Sequence, residues 1–191
     1  VPEPIELAGN WKVSFPLKDK SVLDKTFKNL SSWSDALEDD IRYFSGTASY
    51  KKDFTIVSDL LKSSNSLELD LGQVKVIAEV ILNGKNLGIL WKAPYRLNID
   101  DAVVKGTNTL EVKITNLWPN RLIGDEQLPL DYELKGPHIK QWPEWLLNKT
   151  NRPTDRQTLA AFKHWHKDSE LQPSGLLGPV KIVVSKVVEL K

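Results

Sequence analysis

Apolar side chains return at every second position in four separate stretches, a period that belongs to strands with one wet face. Leu67, Leu69 and Leu71 alternate with Glu68 and Asp70; Leu110, Val112 and Ile114 alternate with Glu111, Lys113 and Thr115. Val180, Ile182 and Val184 form a third run, and Ala48, Tyr50, Phe54 and Ile56 a fourth in which Lys52 breaks the pattern. The clearest local signal is Val80-Ile81-Leu82-Asn83-Gly84-Lys85-Asn86-Leu87-Gly88. Asn-Gly tolerates the two positive φ values of a type I′ turn, so a β-hairpin is predicted there. Lys105-Gly106, ahead of the Leu110 run, reads as another turn.

Many short strands without regular βα alternation predict an all-β sandwich. A (β/α)8 barrel needs about 250 residues and eight βα units, and the chain has 191 residues. That length suits one domain with a sizeable core, so 1–191 is read as a single domain. From Pro119 to Pro173 the alternation lapses and prolines punctuate the chain, marking a long irregular insertion (119–175) before the last strand. Inside it, Pro143 ahead of Glu144-Trp145-Leu146-Leu147 suits a short helix with Pro at its first position. Trp142 and Trp145 would share a face of that helix. Thr158 to Trp165 fits a strand or a helical turn equally.

Composition narrows the function classes. With 26 basic and 25 acidic residues the net charge is +1, and no basic cluster of the kind nucleic-acid binders carry is visible. No apolar run approaches the roughly 20 residues of a membrane span, and the opening Val1-Pro2-Glu3-Pro4 does not read as a signal peptide. Cys is absent, which removes disulfides and thiolate metal sites. Met is absent even from position 1, so the chain reads as a fragment of a larger protein. Trp is over-used, with 7 against 5 Phe and 4 Tyr. Burying one indole removes about 150–250 Å² from water, worth roughly 4–6 kcal/mol gross at about 25 cal/mol per Å². Most of the seven are therefore expected in the core, and any left outside needs a partner or ligand as its reason.

The stretch Asp70-Leu71-Gly72-Gln73-Val74, Ala78-Glu79-Val80, Leu82-Asn83-Gly84-Lys85 and Leu87-Gly88 resembles the sugar-binding jelly-roll of glycoside hydrolase family 2. Leu110-Glu111-Val112-Lys113-Ile114-Thr115-Asn116 is similar to the strand that follows there. Further stretches resemble the C-terminal region of α-L-rhamnosidases of glycoside hydrolase family 106. These are Tyr43-Phe44-Ser45-Gly46-Thr47-Ala48, Leu90-Trp91-Lys92-Ala93-Pro94-Tyr95-Arg96, Thr115–Asp125, Lys163-His164-Trp165 and Pro173–Val180. The resemblance runs from Leu7 to Val184, and the Asn116–Asp125 run is its most specific part. It implies a galactose-binding-like β-sandwich attached to a separate catalytic barrel, with the catalytic carboxylates in that barrel. The fragment is then no enzyme by itself, though its parent is an α-L-rhamnosidase-like glycoside hydrolase acting in polysaccharide degradation, outside the cytoplasm. Carbohydrate and the parent's catalytic domain are the implied partners. No cofactor is implied, although structural calcium occurs in sugar-binding jelly-rolls; no Asp-rich loop of recognisable calcium spacing is present.

Glycoside hydrolysis needs two carboxyl groups about 5–9.5 Å apart. Asp39-Asp40, Asp100-Asp101 and Asp125-Glu126 are adjacent pairs, but neighbours on a strand face opposite ways and on loops are usually solvated, so no catalytic residue is assigned. His164-x-His166 would share a strand face, with His138 or Asp168 as a third metal ligand. The plainer reading, a loop His beside a packed Trp165, leaves no metal site. Candidate substrate-binding residues are Asn116, Trp118, Asn120, Arg121 and Asp125, together with Trp91 and His164. Asn and Arg offer several fixed donors to sugar hydroxyls, and Trp offers a flat apolar face to a pyranose ring. The alternative is that Trp118 caps the core and Arg121 pairs with Asp125 or Glu126. Trp91, Tyr95 and Arg96 form a second aromatic-basic cluster in which Trp91 alternates with Lys92 and so is expected to pack inward. Three roles follow: a domain bracing the barrel and lending its 118–125 loop to the active-site rim, an autonomous carbohydrate-binding module, or a structural spacer with every Trp buried.

Overall fold

A computed structural model describes residues 3–186. The opening Val1-Pro2 and the last five positions of the 1–191 span lie outside the described residues. The strands are β1 (Ile5–Glu6), β2 (Trp11–Pro16), β3 (Val22–Phe27), β4 (Thr47–Ile56), β5 (Asn65–Asp70), β6 (Gln73–Lys75) and β7 (Ile77–Leu82). There follow β8 (Lys85–Leu90), β9 (Arg96–Asn98), β10 (Gly106–Thr115), β11 (Leu134–Lys135), β12 (His138–Ile139), β13 (Gly175–Gly178) and β14 (Lys181–Lys186). Three short helices are α1 (Asp39–Arg42), α2 (Pro119–Asp125) and α3 (Glu144–Leu147). The chain forms two compact units: one from Val1–Ser32, Gly46–Asn116 and Ser174–Lys191, the other from Trp33–Ser45 and Leu117–Pro173.

The first unit is the sandwich. Its six-stranded sheet runs β3-β2-β4-β10-β7-β8 and its four-stranded sheet β1-β14-β5-β9, every strand pairing antiparallel. The core comes from the alternating residues read above: Leu67, Leu69, Leu110, Val112, Ile114, Ile182 and Val184 are all buried. Asn83 at φ 51° and Gly84 at φ 79° close the two-residue turn between β7 and β8, which pairs Leu82 with Lys85. Gly106 turns at φ 87° into β10. Lys52 stands on the core parity of β4, yet its Nζ reaches out to donate to Asn10 O at 3.0 Å, 5.4 Å from the Trp11 ring centroid. The long stem covers apolar surface while the charge leaves it, and partial burial still pulls the ammonium below its usual 10.5. Gly72, at φ +64°, is pressed against Gly178, whose carbonyl would sit 2.5 Å from an added Cβ. Only glycine allows the two backbones to meet there.

The second unit carries most of the irregular segment. It contains the two-residue pair β11–β12, the three helices and long extended stretches. The helix at Glu144–Leu147 is present, with Pro143 in extended backbone one position before the first turn. Trp142 lies outside that helix and is exposed, so it shares no helical face with Trp145. Thr158 to Trp165 is neither strand nor helix; it makes a single bridge, Phe162 with His138. Trp burial also departs from expectation. Trp11 and Trp33 are fully buried, whereas Trp91, Trp118 and Trp142 are 66%, 59% and 52% exposed.

Candidate functional site

Pro119 fixes φ at the first position of α2 and so starts a helix where a polar loop was expected. Helical winding turns Asn120, Arg121 and Asp125 inward, and all three are buried. Asn120 clasps Gln172: its Nδ2 donates to Gln172 O at 2.7 Å and its Oδ1 accepts from Gln172 N at 2.7 Å. Arg121 Nη2 lies 3.0 Å from Asp125 Oδ1, an i,i+4 ion pair, with the guanidinium 5.9 Å from the Tyr43 ring centroid. Asp125 Oδ2 accepts from Gln157 N, Thr158 N and Thr158 Oγ1 at 2.8, 2.6 and 2.7 Å. These bonds fasten the extended 157–158 stretch to α2. Trp118 is the residue of this segment that faces solvent, beside the equally exposed Leu117. It does not cap a core.

In the sandwich unit, Asn116 Oδ1 accepts from Gly46 N at 3.0 Å and its own N–H donates to Gly46 O at 3.2 Å, so its side chain is a clasp at the start of β4. Trp91 follows the last residue of β8 and is two-thirds exposed, with Lys92 Nζ 5.4 Å from its ring centroid. The inward packing expected from alternation fails because the strand ends at Leu90. Tyr95 Oη donates to Val76 O at 2.7 Å, and Arg96 pairs with Asp70 at 2.8 Å. Of the adjacent carboxylate pairs, Asp39-Asp40 is exposed, whereas Asp100 is held in place by hydrogen bonds. Asp100 accepts from Leu67 N, Asn98 Nδ2 and Ser66 Oγ. Burial raises its pKa, but those bonds outweigh burial and hold the carboxyl below its usual 3.8.

His164 stands at a cleft where charge, rings and concavity meet. A cleft of about 90 Å³ in the second unit is lined by Glu126, Tyr132, Arg156, Lys163, His164 and Trp165, among others. Glu126 at the end of α2 takes Arg156 Nη2 on one oxygen and Lys163 Nζ on the other. Arg156 Nη1 also donates to Leu128 O at 3.0 Å. Tyr132 is pushed above its usual 10.0 by burial, which outweighs the opposing charge of Arg156 and Lys163. His164 and His166 lie outside any strand, so the shared strand face does not form; His164 instead meets the Trp165 ring edge-on, centroids 5.0 Å apart. Among the described residues no group of three His, Cys, Asp or Glu is placed to hold a metal ion. Of the substrate-binding candidates named from sequence, only His164 lines this cleft; Glu126, weighed only in a carboxylate pair and as a partner for Arg121, lines it too. Tyr132, Arg156 and Lys163 were missed because they are scattered over irregular backbone; the one signal was the charge held within the proline-punctuated stretch. The sandwich unit has a cleft of about 240 Å³ between Glu6, Trp11, Asn29, Leu30 and Pro179, with Glu6 its one charged lining residue.

Antiparallel sheets of this order define a galactose-binding-like β-sandwich. The profile of the glycosyl hydrolase 2 galactose-binding domain-like family matches residues 30–175, and the chain belongs to that family. A curated protein from Formosa agariphila, named "Putative beta-glucuronidase", is 61% identical over 184 residues, which is 96% of this chain and 16% of that protein. The chain thus spans about a sixth of that relative's length. A rhamnosidase structure from Novosphingobium sp. PP1Y is similar at 32% identity and TM-score 0.71, over 96% of this chain and 15% of its own. A β-glucuronidase from an uncultured Clostridium sp. shares the fold at 24% identity and TM-score 0.50, over 60% of this chain and 22% of its own. No helix among the described residues is long and apolar enough to cross a membrane.

Proposed function

We propose that the chain is a non-catalytic accessory domain of a larger, α-L-rhamnosidase-like glycoside hydrolase that works outside the cytoplasm on polysaccharide. It braces the catalytic domain and lends the segment around Trp118 to the rim of the substrate site. Trp118 carries the reading: 59% exposed, it forgoes most of the stabilisation an indole gains from burial, and an exposed indole beside Leu117 calls for a partner. The rhamnosidase likeness supports the parent's class, since at 32% identity and 96% coverage it takes in the 117–173 stretch. The carboxylates weighed for catalysis at 100 and 125 are engaged in structural bonds.

The 61% identical relative's printed name favours a second reading, a β-glucuronidase parent. An autonomous carbohydrate-binding module is supported by the same exposed Trp118 and Trp91. A spacer with every Trp buried does not fit three half-exposed indoles.

The test is hydrolysis of aryl α-L-rhamnosides and aryl β-D-glucuronides, by the 191-residue chain and by the longer polypeptide that carries it. The reading expects no cleavage by the chain alone and rhamnoside cleavage by the longer protein. Cleavage by the isolated chain ends it, and glucuronide-only cleavage by the longer protein transfers it to the second parent.

A further inference from the structure

We infer that the cleft between α2 and the 158–165 stretch binds a neutral, hydroxylated sugar ring, through Tyr132, Phe162, His164 and Trp165. Its wall is fixed before any ligand arrives. Thr158 N donates to Asp125 Oδ2 at 2.6 Å, Ile139 N to Ala161 O at 3.0 Å, and Lys163 N to Pro137 O at 2.6 Å. An irregular stretch tied at three points presents its side chains with little further ordering, which lowers the cost of binding.

The groups that this lining presents choose the ligand. Its charges are engaged within the protein: Glu126 takes both Arg156 and Lys163, while Arg156 also bonds Leu128 O and acts on Asp131. Uncommitted hydrogen-bonding groups remain. Among the described residues, the Tyr132 hydroxyl, the His164 imidazole and the Trp165 indole N–H have no hydrogen-bond partner. Beside them Phe162 keeps 49% of its surface in water, with only the edge-on His138 ring against it at 5.1 Å between centroids. Trp165 is half buried at the same cleft. Flat apolar faces next to open donors and acceptors suit a ligand that carries a C–H face and hydroxyls together. A purely apolar ligand would dry three polar groups without bonding them, and an ion would find its counter-charges already taken. The choice of a sugar among hydroxylated rings rests on the accessory-domain reading above; the pairing of ring and hydroxyl stands on the cleft alone.

The experiment titrates the 191-residue chain with two neutral rings, methyl α-L-rhamnoside and methyl β-D-galactoside, following amide NMR shifts. Methyl β-D-glucuronide serves as a charged ring and cyclohexanol as an apolar one. Expected is millimolar binding of a neutral glycoside, the range of a single sugar contact, with shifts centred on 156–165. Phe162→Ala should weaken it about tenfold, the loss of one stacking face. Tyr132→Phe, which removes one hydroxyl and keeps the ring, should weaken it about three- to tenfold. Trp118→Ala should leave it unchanged, because that indole lies outside the cleft lining. Matching melting curves verify each fold, and Tyr132→Phe keeps the test open if Phe162→Ala unfolds. The inference is overturned if neither neutral glycoside binds, if cyclohexanol binds as tightly as they do, or if the glucuronide binds tighter than both. It is equally overturned if Tyr132→Phe leaves the affinity untouched, or if Trp118→Ala alone abolishes binding. Hydrolysis in the longer protein decides the accessory-domain reading separately, so either can fail without the other.

Discussion

Arg152 and Asp131 meet as a fork: Nε and Nη2 donate to the two carboxylate oxygens at 2.6 and 3.0 Å, and the Asp131 side chain is 1% exposed. Thr154 Oγ1 adds a third bond to Asp131 at 2.6 Å, Arg152 Nη1 donates to Thr158 O at 2.9 Å, and the guanidinium lies 4.7 Å from the Trp145 ring centroid. One charge pair thus fixes four separated stretches of a segment with little regular structure. Asp131→Asn leaves a desolvated cation without its anion, so unfolding free energy should fall by about 3–5 kcal/mol. A urea melt at neutral pH checks it; a loss below about 1 kcal/mol would mean that the pair is solvated.

The same carboxylate sets an acid dependence. Burial works to raise the Asp131 pKa, but hydrogen bonds from Arg152 and Thr154 and the charges of Arg152 and Arg156 outweigh it, holding the group below its usual 3.8. A folded pKa below the unfolded one gives stability that is complete above pH 3.8 and lost as pH falls through the folded value. Asn cannot titrate. The stability gap between wild type and Asp131→Asn should therefore narrow as urea melts are taken below pH 3.8; a constant gap refutes the assignment.

Gly124 is a second point where the irregular unit has no slack. A Cβ added there would meet the Tyr43 ring at 2.5 Å and Arg121 Nη2 at 2.6 Å. In an open helix, Gly→Ala gains about 1 kcal/mol. Here the ring and the ion pair must shift instead, so Gly124→Ala should lower stability by about 1–3 kcal/mol. Thermal unfolding gives the sign directly.

Asn108 occupies a buried position on β10, and its amide is satisfied on both sides. Oδ1 accepts from Val104 N and Asn83 Nδ2, each at 2.8 Å, while Nδ2 donates to Val104 O at 2.8 Å and Gly106 O at 3.0 Å. Removing the amide strands several of these groups, so Asn108→Ala should cost about 2–4 kcal/mol. Asn108→Asp should cost at least as much at pH 7, because a carboxylate cannot donate to the two carbonyls. If the Asp variant melts like wild type, the donor role fails.

These residues explain what a linear reading captures. The sandwich was legible because alternation is local: Leu110, Val112 and Ile114 announce a face without reference to any partner. The Asn83-Gly84 turn was legible because positive φ is a property of two adjacent residues. The second unit was not. Asp125 binds 157–158, Asp131 binds 152 and 154, and Glu126 binds 156 and 163; each pairing joins residues about 20 to 40 apart, with no period to betray it. Burial of Arg121 and Asp125 was legible only as the plainer alternative, since the change from loop to helix at Pro119 decides it.

Trp118 and Arg121 separate the roles of their segment. Arg121 is buried in its ion pair with Asp125, so Arg121→Ala should destabilise the fold by about 3 kcal/mol or more by leaving Asp125 without its cation. Trp118 is largely in water, so Trp118→Ala should change stability by no more than about 0.5 kcal/mol. If the exposed indole contributes to the rim of a substrate site in the longer protein, kcat/KM for rhamnoside should fall about tenfold on Trp118→Ala, the scale of one aromatic sugar contact. If instead it holds the two domains together, kcat/KM for short and long substrates should fall equally and the melting transition of the longer protein should split. Rim contact predicts a loss that grows with substrate length and an undivided transition. Measuring both quantities on one variant decides between them.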